Sequence, residues 1–195
     1  MTVLAAFQGN GFCHIATDSR ATDYSGAHFI LDNKKVTWDE ERDYLFAVTG
    51  ATRGGNLIQQ GWIPPQPPVF TDVNALDKFM TQIFLPQLRD HFIISGFEGI
   101  SLTGQSAEID AAFLVAVQGI IYPVFSDYCW DRDKRKIYVM GSGGDIALGV
   151  MNALEIHKYA NDAKGSLAIV KKAVSIACQW NAYCALPVVA ETQKY

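Results

Sequence analysis

The opening hairpin constrains the fold of this chain more than any other stretch. Two apolar segments, residues 2–8 and 12–17, are separated by the turn sequence Gly9-Asn10-Gly11. A short glycine-rich turn between two such segments predicts an antiparallel β-hairpin. Both segments are apolar nearly throughout instead of alternating, so we expect each strand to be buried on both faces. The hairpin therefore belongs inside the molecule, with further structure covering it on each side.

The remainder of the chain alternates between groups of strands and pairs of helices. The predicted strands cover residues 29–31, 36–38, 44–49, 108–117, 120–125, 136–140 and 183–189. The predicted helices cover about 50–60, 71–91, 145–159 and 166–180. Thr71 or Asp72 is expected to cap the second helix, and Pro86 is expected to kink it or end it early. Residues 19–28 and the proline-rich 61–68 are predicted loops. This order predicts sheets sandwiched between helix layers, in one domain that spans residues 1–195.

Composition and charge exclude several classes of function. Apolar residues make up 49% of the chain and charged residues 18%, which is typical of a globular protein. The formal net charge is −4, and the one basic run, residues 131–136, is interrupted by acids. Binding to nucleic acid or to an anionic membrane therefore has no electrostatic support. No apolar run reaches the roughly 20 residues that cross a bilayer, and the pattern of a secretory signal is absent.

Cysteine and histidine occur without the spacing of a metal site. The four cysteines form no CxxC pair, and the four histidines form no HxxxH or HxH pair. We therefore expect neither a metal nor another cofactor. Cysteines that mostly have apolar neighbours are typical of reduced thiols, which predicts a cytoplasmic protein.

A few residues offer nucleophilic chemistry. If Met1 is removed, Thr2 presents a hydroxyl beside its own α-amine, whose ordinary pKa of about 7.7–8.0 suits a base at neutral pH. Asp18 ends the strand that pairs with the first, so the hairpin places it near the start of the chain. A lysine at position 35 would hold the amine neutral by repulsion. At a strand-to-helix junction, Gly50 would present a free N–H to a developing oxyanion.

Taken one at a time, these residues are not specific. In the alternative interpretation, Asp18 and Arg20 form a surface ion pair. Lys35 is then solvated, and Gly50 belongs to a simple turn. The order and spacing of the residues decide between the two interpretations.

That order resembles the proteasome β-subunit family, and the bacterial HslV-type peptidases in particular. The resemblance covers nearly the whole chain and implies the α+β fold of the N-terminal-nucleophile (Ntn) hydrolases. In that fold, a four-layer αββα sandwich, two antiparallel sheets lie between helix layers. The matching segments are Thr2-Val3-Leu4-Ala5-Ala6-Phe7, Ala16-Thr17-Asp18-Ser19-Arg20-Ala21-Thr22, Lys34-Lys35-Val36, Val48-Thr49-Gly50 and Val139-Met140-Gly141-Ser142-Gly143-Gly144.

The resemblance also implies roles for individual residues. Thr2 would be the nucleophile of a threonine-type peptidase, with Asp18 and Lys35 as its partners. The Gly50 N–H would be the oxyanion donor. Ser142 would supply a supporting hydroxyl near the amine.

Substrate binding and assembly follow from the same resemblance. Val48 and Thr52 would face the pocket for the side chain that precedes the cleaved bond. Lys34 is the alternative to Lys35, because one residue of loop length separates the two alignments. The implied partners are a peptide or unfolded protein as substrate, further copies of the chain in a ring that stacks on a second ring, and an ATPase unfoldase.

Several features depart from the pattern of active members, among them the short first helix and the proline-rich loop at residues 62–68. Residues 181–185 read Asn-Ala-Tyr-Cys-Ala where active subunits often have Asp-Ala-Tyr-Ser-Gly, so Asn181 replaces an acid and Cys184 a hydroxyl. If Met1 is retained, the amine is acylated and lost as a base. The sequence thus leaves open a catalytically silent structural member of the fold and an amidase that acts on small non-peptide amides. A further alternative is a phosphate-binding loop at residues 141–144, although the GxGxxG pattern is missing there.

Overall fold

The computed structural model describes residues 2–23, 25–98 and 108–195. The strands are β1 (Leu4–Gln8), β2 (Phe12–Thr17), β3 (Arg20–Thr22), β4 (His28–Ile30), β5 (Val36–Asp39), β6 (Tyr44–Gly50), β7 (Ala111–Val117), β8 (Ile120–Val124), β9 (Ile137–Met140) and β10 (Val189–Lys194). The helices are α1 (Thr52–Gly61), α2 (Val73–Phe79), α3 (Leu85–Ile94), α4 (Gly144–Ala153) and α5 (Ala163–Trp180). A π-helical turn, Met80–Phe84, joins α2 to α3, and a 3₁₀ turn, Ile156–Tyr159, precedes α5.

Two four-stranded antiparallel sheets form the centre of the molecule. The first has the strand order β10-β2-β1-β9, and the second has the order β5-β6-β7-β8. The predicted hairpin forms the middle of the first sheet, with Leu4 opposite Thr17 and Gln8 opposite Cys13 beside the turn. Strands β3 and β4 pair with each other in a separate two-stranded sheet.

Alternation along the strands divides the apolar side chains among three cores. In β1, Ala5 packs with α4 and α5, whereas its neighbour Leu4 packs against the second sheet. In β6, Phe46 packs under α1, α2 and α3, whereas Leu45 faces the first sheet. Because consecutive side chains of a strand point to opposite faces, both sheets are buried on both sides. The layers are helix, sheet, sheet, helix, which confirms the predicted αββα sandwich.

The closing strand lies further along the chain than predicted. The sequence predicts residues 183–189, whereas β10 begins at Val189 and pairs with β2. Pro187 lacks the N–H that a strand ladder requires. Its carbonyl instead accepts the Ser19 hydroxyl at 2.8 Å. The prediction was wrong because the residues before β10 are mostly apolar and resemble a buried strand, whereas most residues of β10 itself are polar.

Other elements also differ from the prediction in their extent. The helix predicted over residues 145–159 ends at Ala153, and Glu155 then adopts a left-handed conformation with φ of 50°. The predicted loop 19–28 contains β3, which pairs with β4. The strand predicted over residues 108–117 begins at Ala111.

Pro86 lies inside a continuous helical segment. Of the two predicted caps, Thr71 and Asp72, the structure shows Asp72 as the N-cap of α2, because its carboxylate accepts the Ala75 N–H at 2.9 Å. After α2 the helical backbone continues through the π turn, where the Leu85 N–H donates to the carbonyl of Met80, five residues earlier. Pro86 falls in the first turn of α3, where a missing N–H is tolerated. The proline therefore neither ends nor breaks the helix.

The described parts of the chain also bear on membrane and metal binding. Within residues 2–23, 25–98 and 108–195, no helix has the length and apolar character needed to cross a bilayer. The same residues contain no group of three or more His, Cys, Asp or Glu side chains placed to hold a metal ion. The cysteines are free thiols, namely Cys13, Cys129, Cys178 and Cys184.

Candidate active site

Strand ends from both sheets meet at one edge of the molecule. In the first sheet, the start of β1 lies beside the end of β2 and the end of β9, since Leu4 is opposite both Thr17 and Met140. In the second sheet, the start of β5 lies beside the last part of β6, with Val36 opposite Ala47. Stacking of the sheets therefore brings together the residues that precede β1 and β5 and those that follow β2, β6 and β9.

Thr2 lies at this edge with charged groups around its side chain. The residue is only 2% exposed, and Asp18 is fully buried. The Thr2 hydroxyl donates to Oδ1 of Asp18 and accepts from Nζ of Lys35. Nζ of Lys35 also donates to the same Asp18 oxygen at 2.7 Å. The three residues therefore form one hydrogen-bonded cluster.

Backbone N–H groups from three segments hold the Asp18 carboxylate. Its Oδ1 accepts the Val3 N–H at 3.1 Å. Its Oδ2 accepts the N–H groups of Arg20 and Ala185 at 3.0 and 3.2 Å. A buried carboxylate must be paired and hydrogen-bonded to be stable, and these bonds together with the Lys35 ammonium meet that requirement. Asp18, which follows β2, thus ties the start of β1, the start of β3 and the segment before β10 to the Thr2 side chain.

The two adjacent lysines have different surroundings. The side chain of Lys35 is 10% exposed. Burial lowers the pKa of its ammonium below the ordinary value, although the Asp18 charge acts in the opposite direction. The Lys34 side chain is 61% exposed and pairs with Glu191 at 2.9 Å. The structure therefore places Lys35, rather than Lys34, beside the Thr2 hydroxyl.

A cavity of about 220 Å³ opens beside Thr2. The three residues predicted at the junction of β6 and α1, namely Val48, Gly50 and Thr52, all line it. Gly50 has a φ of 98°, in the left-handed region, and a Cβ there would lie 2.5 Å from the Asp110 carbonyl oxygen. Both facts require glycine at this position.

Ser142 lies in the turn between β9 and α4, on the backbone side of Thr2. Its hydroxyl is 3.4 Å from the Thr2 carbonyl oxygen and 3.4 Å from Oδ1 of Asn181. The Gly143 N–H donates to the same Thr2 oxygen at 3.1 Å. A side chain on Gly141 would collide with that oxygen. The described walls of the cavity do not include Ser142, so the structure brings this residue to the Thr2 main chain rather than to its hydroxyl.

The turn at residues 141–144 is not organised as a phosphate-binding loop. The Gly143 N–H is bonded to the Thr2 carbonyl, and the Gly144 N–H to the Gly141 carbonyl at 3.0 Å. N–H groups that already have partners inside the protein are not available to a phosphate. The geometry does not support that alternative.

The two residues that depart from the family pattern contact Ser142 or each other. Asn181 donates through Nδ2 to the Ser142 carbonyl at 2.7 Å, and its Oδ1 accepts the Tyr183 N–H at 2.9 Å. The Cys184 thiol donates to the same Oδ1 at 3.6 Å. Burial, reinforced by the Asp18 charge, raises the pKa of the Cys184 thiol to about 11, so this thiol is neutral. Asn181 therefore supports the turn that carries Ser142.

Several residues of the site were not predicted from the sequence. Asn56 and Gln59 line the cavity. They follow Thr52 by four and seven residues, which places all three on one face of a helix, so this spacing could have predicted them from the sequence. The N–H groups of Arg20 and Ala185 reach Asp18 only because the fold brings distant segments together. No local pattern indicates those two contacts.

Solved structures match this chain, whereas no protein-family model and no curated protein does. BPH of Thiobacillus denitrificans in complex with epoxomicin matches with a TM-score of 0.67 and 19% identity, over 98% of both chains. BPH of the same organism in a second structure matches with a TM-score of 0.64 and 18% identity, over 98% of this chain and 97% of that chain. Eukaryotic HslV from Trypanosoma brucei matches with a TM-score of 0.63 and 14% identity, over 99% of both chains.

These matches extend over nearly the full length of each chain, so they concern the whole arrangement of sheets and helices. At identities below 20% they establish the architecture alone. The chain therefore has the four-layer αββα fold of the Ntn hydrolases, which it shares with BPH and HslV.

Proposed function

We propose that this chain is a threonine-type peptide hydrolase that uses Thr2 as its nucleophile after removal of Met1. One observation carries the proposal: the Thr2 hydroxyl is held between the Asp18 carboxylate and the Lys35 ammonium at the wall of a cavity. Nucleophilic catalysis needs a hydroxyl with oriented polar partners and room for a substrate beside it. Met1 itself lies outside the described residues.

The proposed first step joins Oγ1 of Thr2 to the carbonyl carbon of the substrate. The α-amine of the processed Thr2 accepts the hydroxyl proton, and the Lys35 ammonium stabilises the negative charge that develops on Oγ1. The Gly50 N–H donates to the oxyanion. The amine then gives its proton to the leaving amine as the C–N bond breaks, and water releases the acyl group from Oγ1 in a second, equivalent cycle.

The structural neighbours bear on the ligand of the proposed site. One of the BPH structures was solved with epoxomicin, and another neighbour is HslV. By the resemblance in sequence, we propose a peptide or unfolded protein as the substrate. We also propose a homo-oligomeric ring, stacked on a second ring, as the working form, with an ATPase unfoldase as a partner.

Replacement of the nucleophile tests the proposal. Thr2→Ala should abolish hydrolysis of fluorogenic peptides and labelling by peptide epoxyketones, without loss of assembly. Thr71→Ala is a matched control, because Thr71 is an exposed threonine outside the cavity, and it should leave both readouts unchanged. Full activity of Thr2→Ala would show that the mechanism is wrong.

Two other outcomes would identify the alternatives. A protein that retains Met1 and cleaves no amide would be a silent member of the fold, since an acylated α-amine cannot accept the proton. Cleavage of small amides, but not of peptides, would identify an Ntn amidase instead. Intact-mass measurement and a panel of both substrate types separate these outcomes.

A further inference from the structure

One wall of the candidate cavity is a single face of α1. Thr52, Asn56 and Gln59 recur at spacings of four and three residues, so they share a helical face, and all three line the cavity. Gly55 lies among them and keeps the space open, since the nearest neighbour of a Cβ there would be Val48 at 3.7 Å. This wall offers one hydroxyl and two amides and carries no charged side chain.

Basic side chains line other parts of the cavity. Arg20, Lys34 and Lys35 are lining residues, and the described lining contains no Asp or Glu. Lys35 pairs with Asp18 at 2.7 Å. Lys34 pairs with Glu191 at 2.9 Å. Both carboxylates lie outside the lining, so a molecule in the cavity contacts the lysine ammonium groups and not their acidic partners.

Arg20 adds a charge that no carboxylate neutralises. In the described residues, no Asp or Glu lies within ion-pair distance of its guanidinium. The guanidinium donates instead to the carbonyl of Ala182, which is a neutral acceptor. The net charge along the described cavity wall is therefore positive.

The N-terminus of α1 opens on the same cavity. Ala51 and Thr52, at the start of the helix, are both lining residues. The helix has no side-chain N-cap and no acidic residue in its first turn. The first N–H groups of a helix carry partial positive charge. They reinforce the preference of the cavity for an anionic group over a cationic one.

We propose that this cavity selects peptides with an acidic side chain, Asp or Glu, directly before the cleaved bond and rejects those with Lys or Arg there. The inference rests on the proposed function, because it takes Thr2 as the nucleophile and the cavity as the pocket beside it. A substrate carboxylate would face the Arg20 guanidinium and the amides of α1. An ammonium would meet like charge in a partly enclosed space, where repulsion is screened less than in water.

A matched set of fluorogenic peptides tests the inference. Four peptides that differ only in the residue before the cleaved bond, Glu, Gln, Leu or Lys, are compared by kcat/KM on the processed protein at low salt. We expect the Glu peptide to exceed the Lys peptide by about tenfold or more, with the Gln peptide between them. The preference should decrease as salt is added, since it is electrostatic.

Two variants of α1 locate the origin of the preference. Asn56→Asp places a carboxylate on the cavity wall and should lower the Glu-to-Lys ratio by about tenfold. Gln60→Glu adds the same charge at the next exposed position outside the lining and should leave the ratio unchanged.

The outcomes separate the two proposals. A Lys peptide cleaved as well as the Glu peptide, or an equal effect of both variants on the ratio, would overturn the preference and leave the proposed hydrolysis standing. Absence of cleavage for all four peptides, together with no epoxyketone label, would overturn the proposed function and the preference with it.

Discussion

Lys35 is the residue whose surroundings have the clearest consequence for activity. Its ammonium donates to the Thr2 hydroxyl and to the Asp18 carboxylate, in a place where little of its side chain reaches water. Burial opposes the charge on the lysine, and the Asp18 carboxylate favours it, with burial the larger effect. The charged form is therefore lost at a lower pH than for a lysine in solution.

We expect activity to fall on the alkaline side at a pH below 10.5, the ordinary pKa of lysine. The ammonium is present below the pKa of Lys35, and a lowered pKa moves its loss to lower pH. Lys35→Arg should shift this alkaline limb upward, because arginine stays protonated, and should lower kcat, because its geometry differs. Profiles of kcat against pH for both proteins provide the measurement. The exposed Lys164→Arg is the control, and an identical alkaline limb in Lys35→Arg would contradict the role of Lys35.

Asn181 supplies a second prediction at the scale of one residue. Asn181→Asp removes the N–H that bonds to the Ser142 carbonyl and puts a negative charge beside it. We expect kcat to fall about three- to tenfold with little change in KM. This decrease corresponds to a rise in activation free energy about equal to the net contribution of one hydrogen bond. Asn152→Asp is a matched control, since the Asn152 amide also donates to a backbone carbonyl, but on α4. Unchanged kcat in Asn181→Asp would show that Asn181 does not position the site.

At the scale of elements, the junction between β6 and α1 shapes the cavity. The chain turns there from the second sheet into the first helix, and the turn has to bring Gly50 against the backbone at Asp110. The same junction supplies Val48 and Thr52 to the cavity wall. Its geometry therefore links the stability of the fold to the shape of the site.

Two glycines at this junction should respond differently to alanine. Gly50→Ala should lower the free energy of unfolding by about 2 kcal/mol or more, because of its positive φ and the contact with Asp110. Gly55→Ala should be neutral or raise it by about 0.5–1 kcal/mol, because it is helical and its Cβ would make ordinary contacts. Urea unfolding of both variants gives the comparison. Equal destabilisation would contradict the geometry at Gly50.

The sequence predicted those features that depend on residues close together in the chain. The hairpin of β1 and β2 is confirmed because a strong turn joins two segments buried on both faces. The cap at Asp72 is confirmed because its hydrogen bond is local. The closing strand was misplaced because β10 is polar, and its position depends on pairing with the distant β2. The expected early end of the helix at Pro86 was wrong, because the helical backbone continues through the π turn into α3.

At the scale of the whole molecule, the site exists only where the two sheets stack. Thr2 precedes β1 and Asp18 follows β2, both strands of the first sheet, whereas Lys35 precedes a strand of the second. The resemblance in sequence pointed to these residues, but the hydrogen bonds among them depend on the packing of the layers. The support of Ser142 by Asn181 and the absence of acids from the described cavity lining depend on the same packing. Sequence alone could not specify those features.

The central claim is that Thr2 is an N-terminal nucleophile, and its most direct test is the mass of the native protein before and after treatment with a peptide epoxyketone. We predict a chain that lacks Met1 and gains one adduct per chain, mapped to Thr2. Thr2→Ala should lack Met1 as well and gain no adduct. A native chain that retains Met1, or an adduct that persists in Thr2→Ala, would contradict the claim.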